Sequence, residues 1–121
     1  MSGTIKTAPP NSLLFVSDEN GGLPPRPVRG EQILATPSCV SVGCLAFMDG
    51  ETEVTLGRSA DVAPPFAPAF DGMIATPNRA IIVSTVENEA ILREPVPDVQ
   101  SRVRIWVNRP QEPDIVIVGL G

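Results

Sequence analysis

Four side chains near the end of the chain could do chemistry together. Arg102, Arg104 and Trp106 recur at every second position, and Arg109 lies just beyond. Two guanidiniums beside an indole can grip a carboxylate or phosphate while the ring stacks on an apolar group. These four are the expected ligand- or partner-binding residues. The plainer alternative is that Trp106 caps a sheet face, with the arginine stems packed against it and their heads in water.

Other chemistries drop out by residue type. The chain has no histidine, which removes Ser-His and Cys-His triads, His-ligated zinc and imidazole acid–base catalysis. Cys39 and Cys44 are five residues apart. In one extended strand they would face opposite ways, with Cα atoms ~16 Å apart, beyond the reach of a disulfide. They read as free thiols, and so place the protein in a reducing compartment, the cytoplasm. No cation or base adjoins either one to activate it, so both read as buried filler. Asp49, Glu51 and Glu53 offer oxygens to a divalent cation, but no calcium-loop pattern surrounds them. A solvated charge run guarding a sheet edge is the better reading. No G-x-S-x-G elbow is present, and Lys6, the sole lysine, follows no glycine-rich loop. The sequence singles out no carboxylate pair for glycoside hydrolysis. No catalytic residue, metal site or cofactor is therefore expected. Pro24-Pro25-Arg26-Pro27-Val28-Arg29 has the P-x-x-P-x-R spacing of a polyproline ligand, or is simply a stiff loop.

The elements that must position these residues are strands. Proline occurs 14 times in 121 residues, and aromatics make up only 4%. The prolines leave little room for helix, because an interior proline costs about 3 kcal/mol. In residues 101–107 Val103, Ile105 and Val107 fall on one face, and Arg102, Arg104 and Trp106 on the other. Residues 115–118 form a β-branched run suited to a strand covered on both faces. A helix over 98–108 is the local rival, but the strict alternation favours strand. Further strands are expected at 13–17, 33–35, 39–48, 73–76, 79–86 and 89–92. Asp49-Gly50 predicts a two-residue hairpin pairing Met48 with Glu51, Phe47 with Thr52, Leu45 with Val54 and Gly43 with Leu56. That register puts Leu45, Phe47, Val54 and Leu56 in the core. Ile33-Leu34-Ala35-Thr36-Pro37 resembles Met73-Ile74-Ala75-Thr76-Pro77, an offset of 40 residues, which raises the question of an internal duplication.

Together these give an all-β fold, a β-sandwich of about eight short antiparallel strands with Pro/Gly-rich loops and little helix. Residues 1–12 read as a flexible lead-in without the apolar stretch of a secretory signal, and 13–121 as a single sandwich domain. The net charge of −5 and pI near 4.6 disfavour nucleic acid or an anionic membrane as main ligand. No apolar run reaches membrane-spanning length.

The layout of the C-terminal half resembles that of the small bacterial competence-protein J group. The shared features are an extended run at 80–84, a short strand at 90–92, Pro95 or Pro97, then a strand carrying Trp106. Members of that group are proposed inhibitors of a DNA-entry nuclease. The resemblance therefore implies a protein partner, and an acidic chain suits mimicry of nucleic acid. It assigns no site residue. The expected function is a non-enzymatic protein that binds a protein partner or itself. Self-association would use an open β-branched strand such as 80–86. The alternative is a small-ligand module or carboxylate-dependent enzyme, with a cleft between the sheets.

Overall fold

The computed structural model describes residues 3–121. In chain order the strands are β1 (Gly3–Thr7), β2 (Leu13–Asp18), β3 (Ile33–Thr36), β4 (Cys39–Gly43), β5 (Thr52–Arg58), β6 (Phe70–Ala75), β7 (Ala80–Ser84), β8 (Ala90–Pro95), β9 (Gln100–Val107) and β10 (Ile115–Leu120). One short helix, α1 (Ser59–Val62), follows β5. Two five-stranded sheets result, ordered β1-β5-β10-β9-β6 and β3-β4-β2-β7-β8. The expected sandwich is present, with ten described strands rather than about eight. One parallel pair, β5 with β10, sits among antiparallel neighbours.

Alternation along the strands builds the core. Leu14, Val16, Val40, Val42, Ile81 and Val83 point inward from one sheet, and Val54, Leu56, Val103, Ile105, Val116 and Val118 from the other. Each such side chain contributes ~1.5–3 kcal/mol by leaving water. These residues fill the middle of the space between the sheets, and the concavities open at its margins, one of them lined by β8 of one sheet and by β5, β6, β9 and β10 of the other. β9 is a strand, not a helix, and β10 is enclosed between β5 and β9.

Several expectations give way. No hairpin forms at Asp49-Gly50, because β4 ends in one sheet and β5 begins in the other. Past Val42 the backbone finds partners in three separate segments. Gly43 N–H donates to Gln32 O, Cys44 N–H to Ser12 O and Leu45 N–H to Pro113 O. The far strand is already claimed, with Val54 opposite Ile5 on one side and Val116 on the other. Phe47–Asp49 coils into a 3-10 turn and Gly50 takes φ +135°. Phe47, expected in the core, is exposed, and Cys44, expected on the wetter face, is buried.

The lead-in expected over 1–12 is a strand at Gly3–Thr7, because Ile5 and Thr7 turn to one face and Thr4 and Lys6 to the other while the backbone pairs with β5, and Ile5 packs on the core. Positions 1–2 lie outside the described residues. The two Ala-Thr-Pro segments do not begin equivalent hairpins. β3 pairs with β4, whereas β6 pairs with β9 and not with β7. They do meet, Ala75 N–H donating to Pro37 O at 2.8 Å. β7 is internal between β2 and β8, so the strand expected to invite self-pairing has both edges occupied.

Candidate functional site

β9 carries Arg102, Arg104 and Trp106 along the outer face of its sheet, and each meets a different fate. Arg102 faces β6, where Met73 is its register partner and Asp71 lies diagonally across. Its Nε and Nη2 donate to Asp71 Oδ1 at 2.8 Å and Oδ2 at 2.6 Å, a two-pronged fork. The guanidinium holds the Asp71 carboxyl below the usual carboxylate range. Arg104 lies opposite Gly119 of β10 and donates from Nη2 to Gly121 O at 2.8 Å. Its Nε is buried without a hydrogen-bond partner.

Trp106 is not an exposed stacking platform; it is 2% exposed. The segment from α1 to β6 crosses the outer face of the sheet and covers it. Its indole Nε1–H donates to Phe66 O at 2.8 Å, and Ala69 N–H donates to Ile105 O beside it. The alternation was legible, but the Pro-rich cover 63–69 was not. The indole therefore does the capping that the alternative reading assigned to it. Arg109 stands apart. It is exposed in the β9–β10 loop, where its Nε donates to Glu112 O, about 16 Å or more along β9 from Arg102. The four residues do not form one patch.

Near Arg102 lies a cavity of about 530 Å³, at the end of the sandwich where β8 passes to β9. Arg58, Arg102, Met73, Glu94, Asp98 and Leu120 are among its lining residues. Arg58, the last residue of β5, was missed in the sequence, where nothing sets it apart from other surface arginines. Two cations could hold a small anion here, although the two carboxylates offset them.

The opposite end has another character. Glu51, Glu53 and Asp114 line a concavity of about 270 Å³ with Lys6 and Ile115. Glu53 N–H donates to Asp114 O, which ties the start of β5 to the loop before β10. Immediately before, Phe47 and Met48 stand 54% and 80% exposed. Among the described residues no group of three or more His, Cys, Asp or Glu could hold a metal ion. Both thiols are free and buried. Burial pushes Cys39 up to about 11, and pushes Cys44 up as well, with the Thr52 hydroxyl opposing. Neither is poised as a thiolate. Among the described residues no helix is long and apolar enough to cross a membrane.

No family model and no curated protein matches this sequence. Two solved structures resemble it to different degrees. ComJ from Bacillus subtilis, an inhibitor of the DNA-degrading activity of NucA, superposes with a TM-score of 0.70 at 10% identity, covering 99% of this chain and 96% of that one. The product described as crocagin biosynthetic gene J gives 0.49 at 14% identity, covering 98% and 94%. The likeness to the competence-protein J group is thus one of fold. It runs through the whole chain rather than the C-terminal half.

Proposed function

We propose that this protein is a non-enzymatic binding domain whose partner is a nucleic-acid-degrading enzyme. The observation that carries this reading is the fold shared with ComJ over 99% of the chain. Charge supports it. A surface of net −5 is suited to the cationic groove in which a nuclease holds phosphates. The end bearing Glu51, Glu53 and Asp114 beside exposed Phe47 and Met48 combines acidic groups with apolar anchors, as a protein interface of this kind requires. Buried free thiols agree with a cytoplasmic setting. Self-association loses the strand that motivated it, since β7 is internal.

The test is degradation of a fluorescent DNA duplex by the nucleases of the source cell, fractionated and assayed with and without the purified protein. The reading expects one nuclease to be inhibited stoichiometrically, with weaker inhibition at high salt. Undiminished cleavage in every fraction at micromolar protein would count against it. A second reading, capture of a small anion, is favoured by Arg58 and Arg102 in the 530 Å³ cavity. Thermal-shift screening with carboxylates and phosphates, and loss of any shift in Arg58→Ala, addresses it separately.

A further inference from the structure

Between β2 and β3 the chain leaves the sheets for residues 20–31, after Glu19 N–H donates to Ala80 O of β7 and before Gln32 O accepts from Gly43 N–H of β4. It is nonetheless pinned at both ends. Gly21, at φ +88°, closes a turn by donating its N–H to Asp18 O at 2.8 Å. Gly22 then lies so close to the β3–β4 turn that an added Cβ would stand 2.1 Å from Ser38 O. Leu23 donates its N–H to Ser38 Oγ at 2.9 Å and accepts from Thr36 Oγ1 at 2.6 Å. At the other end Glu31 N–H donates to Val28 O at 3.1 Å, with Gly30 at φ +86°.

Among the described residues the main chain of 24–27 makes no hydrogen bond. Three of those four residues are proline, which fixes φ near −65° and pushes each preceding residue toward extended backbone. Such constraints, with no internal hydrogen bonds, favour the polyproline II conformation of three residues per turn. That period puts Pro24 and Pro27 on one edge and Arg26 and Arg29 on a second. Pro25, on the third, is the half-buried one, so the first two edges face solvent. Neither arginine has an ion-pair partner among the described residues. The other Pro-rich segment, 63–68, differs: it lies against its own sheet, with the Phe66 carbonyl taken by the Trp106 indole.

We propose that residues 24–29 are a docking strap for a second protein with a polyproline-binding groove of the SH3 type. The aromatic ridges of such a groove would take Pro24 and Pro27, and carboxylates at its end would take Arg29. Anchoring of the flanks at Leu23 and at Gln32, whose carbonyl accepts from Gly43 N–H, restricts the strap before binding, so less chain entropy is lost on docking. The strap borders the β3–β4 edge, on the sheet other than the one carrying Glu53 and Ile115. Its engagement is therefore separate from nuclease inhibition, and the failure of either reading leaves the other standing.

The experiment titrates the isotopically labelled full chain with each of a panel of purified SH3 domains that accept P-x-x-P-x-R peptides, recording amide NMR shifts. The expected result is saturable movement confined to residues 22–31 with at least one domain. Pro27→Ala and Arg29→Glu should each weaken it by about tenfold, the equivalent of ~1.4 kcal/mol. Both positions are exposed, so the far-UV spectrum of each variant should match that of the parent. A linear peptide of residues 22–31 should bind more weakly than the folded chain. The proposal is overturned if no domain at about 1 mM moves the strap, if the shifts fall elsewhere, or if binding survives both substitutions.

Discussion

Gly119→Ala is the sharpest single test of how the outer face of the β1-β5-β10-β9-β6 sheet is closed. Gly119 lies on β10 between Gly57 and Arg104, beneath both α1 and the indole. A methyl group there would stand 2.6 Å from Ser59 Oγ, 2.7 Å from the Trp106 ring and 3.2 Å from Ser59 Cα. Neither neighbour yields freely. α1 is closed by Ala63 N–H to Ser59 O, and the indole is held by Phe66 O. Overpacking of this kind costs about 1–3 kcal/mol, and breaking the indole hydrogen bond adds about 1 kcal/mol. The sum is about 2–4 kcal/mol. At an unfolding entropy near 2.1 cal/mol/K per residue, a chain of this length should lose about 8–16 °C in Tm. Far-UV circular dichroism measures the loss, and a red shift of Trp106 emission reports the displaced ring. In a Trp106→Phe background the same substitution should cost at least about 1 kcal/mol less, a coupling expected of groups in contact. An unchanged Tm for Gly119→Ala, or an equal penalty in both backgrounds, would refute the packing argument.

Asp18, 2% exposed, accepts hydrogen bonds from Asn20 N, Asn78 N and Asn78 Nδ2, so Asp18→Ala should lose about 2–3 kcal/mol in urea titration. Burial alone would raise its pKa, but those bonds, the Asn78 side chain foremost, leave it lowered; Asp71 is lowered by the Arg102 fork. Both folded-state values lie below the unfolded one, so their contribution is complete above the unfolded carboxylate pKa and fades as pH falls through the folded values. Urea midpoints should thus drop below about pH 4, and Asp18→Asn should flatten that drop. At pH 8 the thiols of Cys39 and Cys44 should react with iodoacetamide far more slowly in the native protein than in denaturant, as mass spectrometry would show. Phe47→Ser and Met48→Ser should leave Tm within about 2 °C, since both side chains are exposed, while the proposed function expects each to weaken inhibition of a nuclease at least about tenfold.

What the sequence revealed and what it hid divides along a physical line. β9 and β10 were legible because alternation is local: Val103 and Ile105 announce a buried face whatever lies across from them. The Asp49-Gly50 turn misled because a favourable two-residue turn is worth little against the long-range pairing of β5 with β1 and β10. β1 was overlooked because five residues beside Pro9 and Pro10 carry one apolar side chain suited to a core, Ile5. The candidate site was half legible. The arginines alternate as expected, but whether Trp106 faces water depends on where an irregular segment forty residues earlier comes to rest, and proline-rich chain carries no periodic signal of its path. Arg58 was hidden for a similar reason, since a cavity at the end of a sandwich is made by termini of strands far apart in sequence.

The central place of β10 bears on how the protein must be made. Until the ribosome has released Leu120, β5 and β9 each present an unpaired row of amides and carbonyls flanked by Val54, Leu56, Val103 and Ile105. The nascent polypeptide is then two sticky half-sheets awaiting a wedge. Its insertion must form parallel bonds to β5, more than fifty residues upstream, a slow kind of closure. A chain lacking Ile115–Leu120 would leave both rows open, and such a product would be a substrate for chaperones or a seed for aggregates rather than a weakened version of the whole.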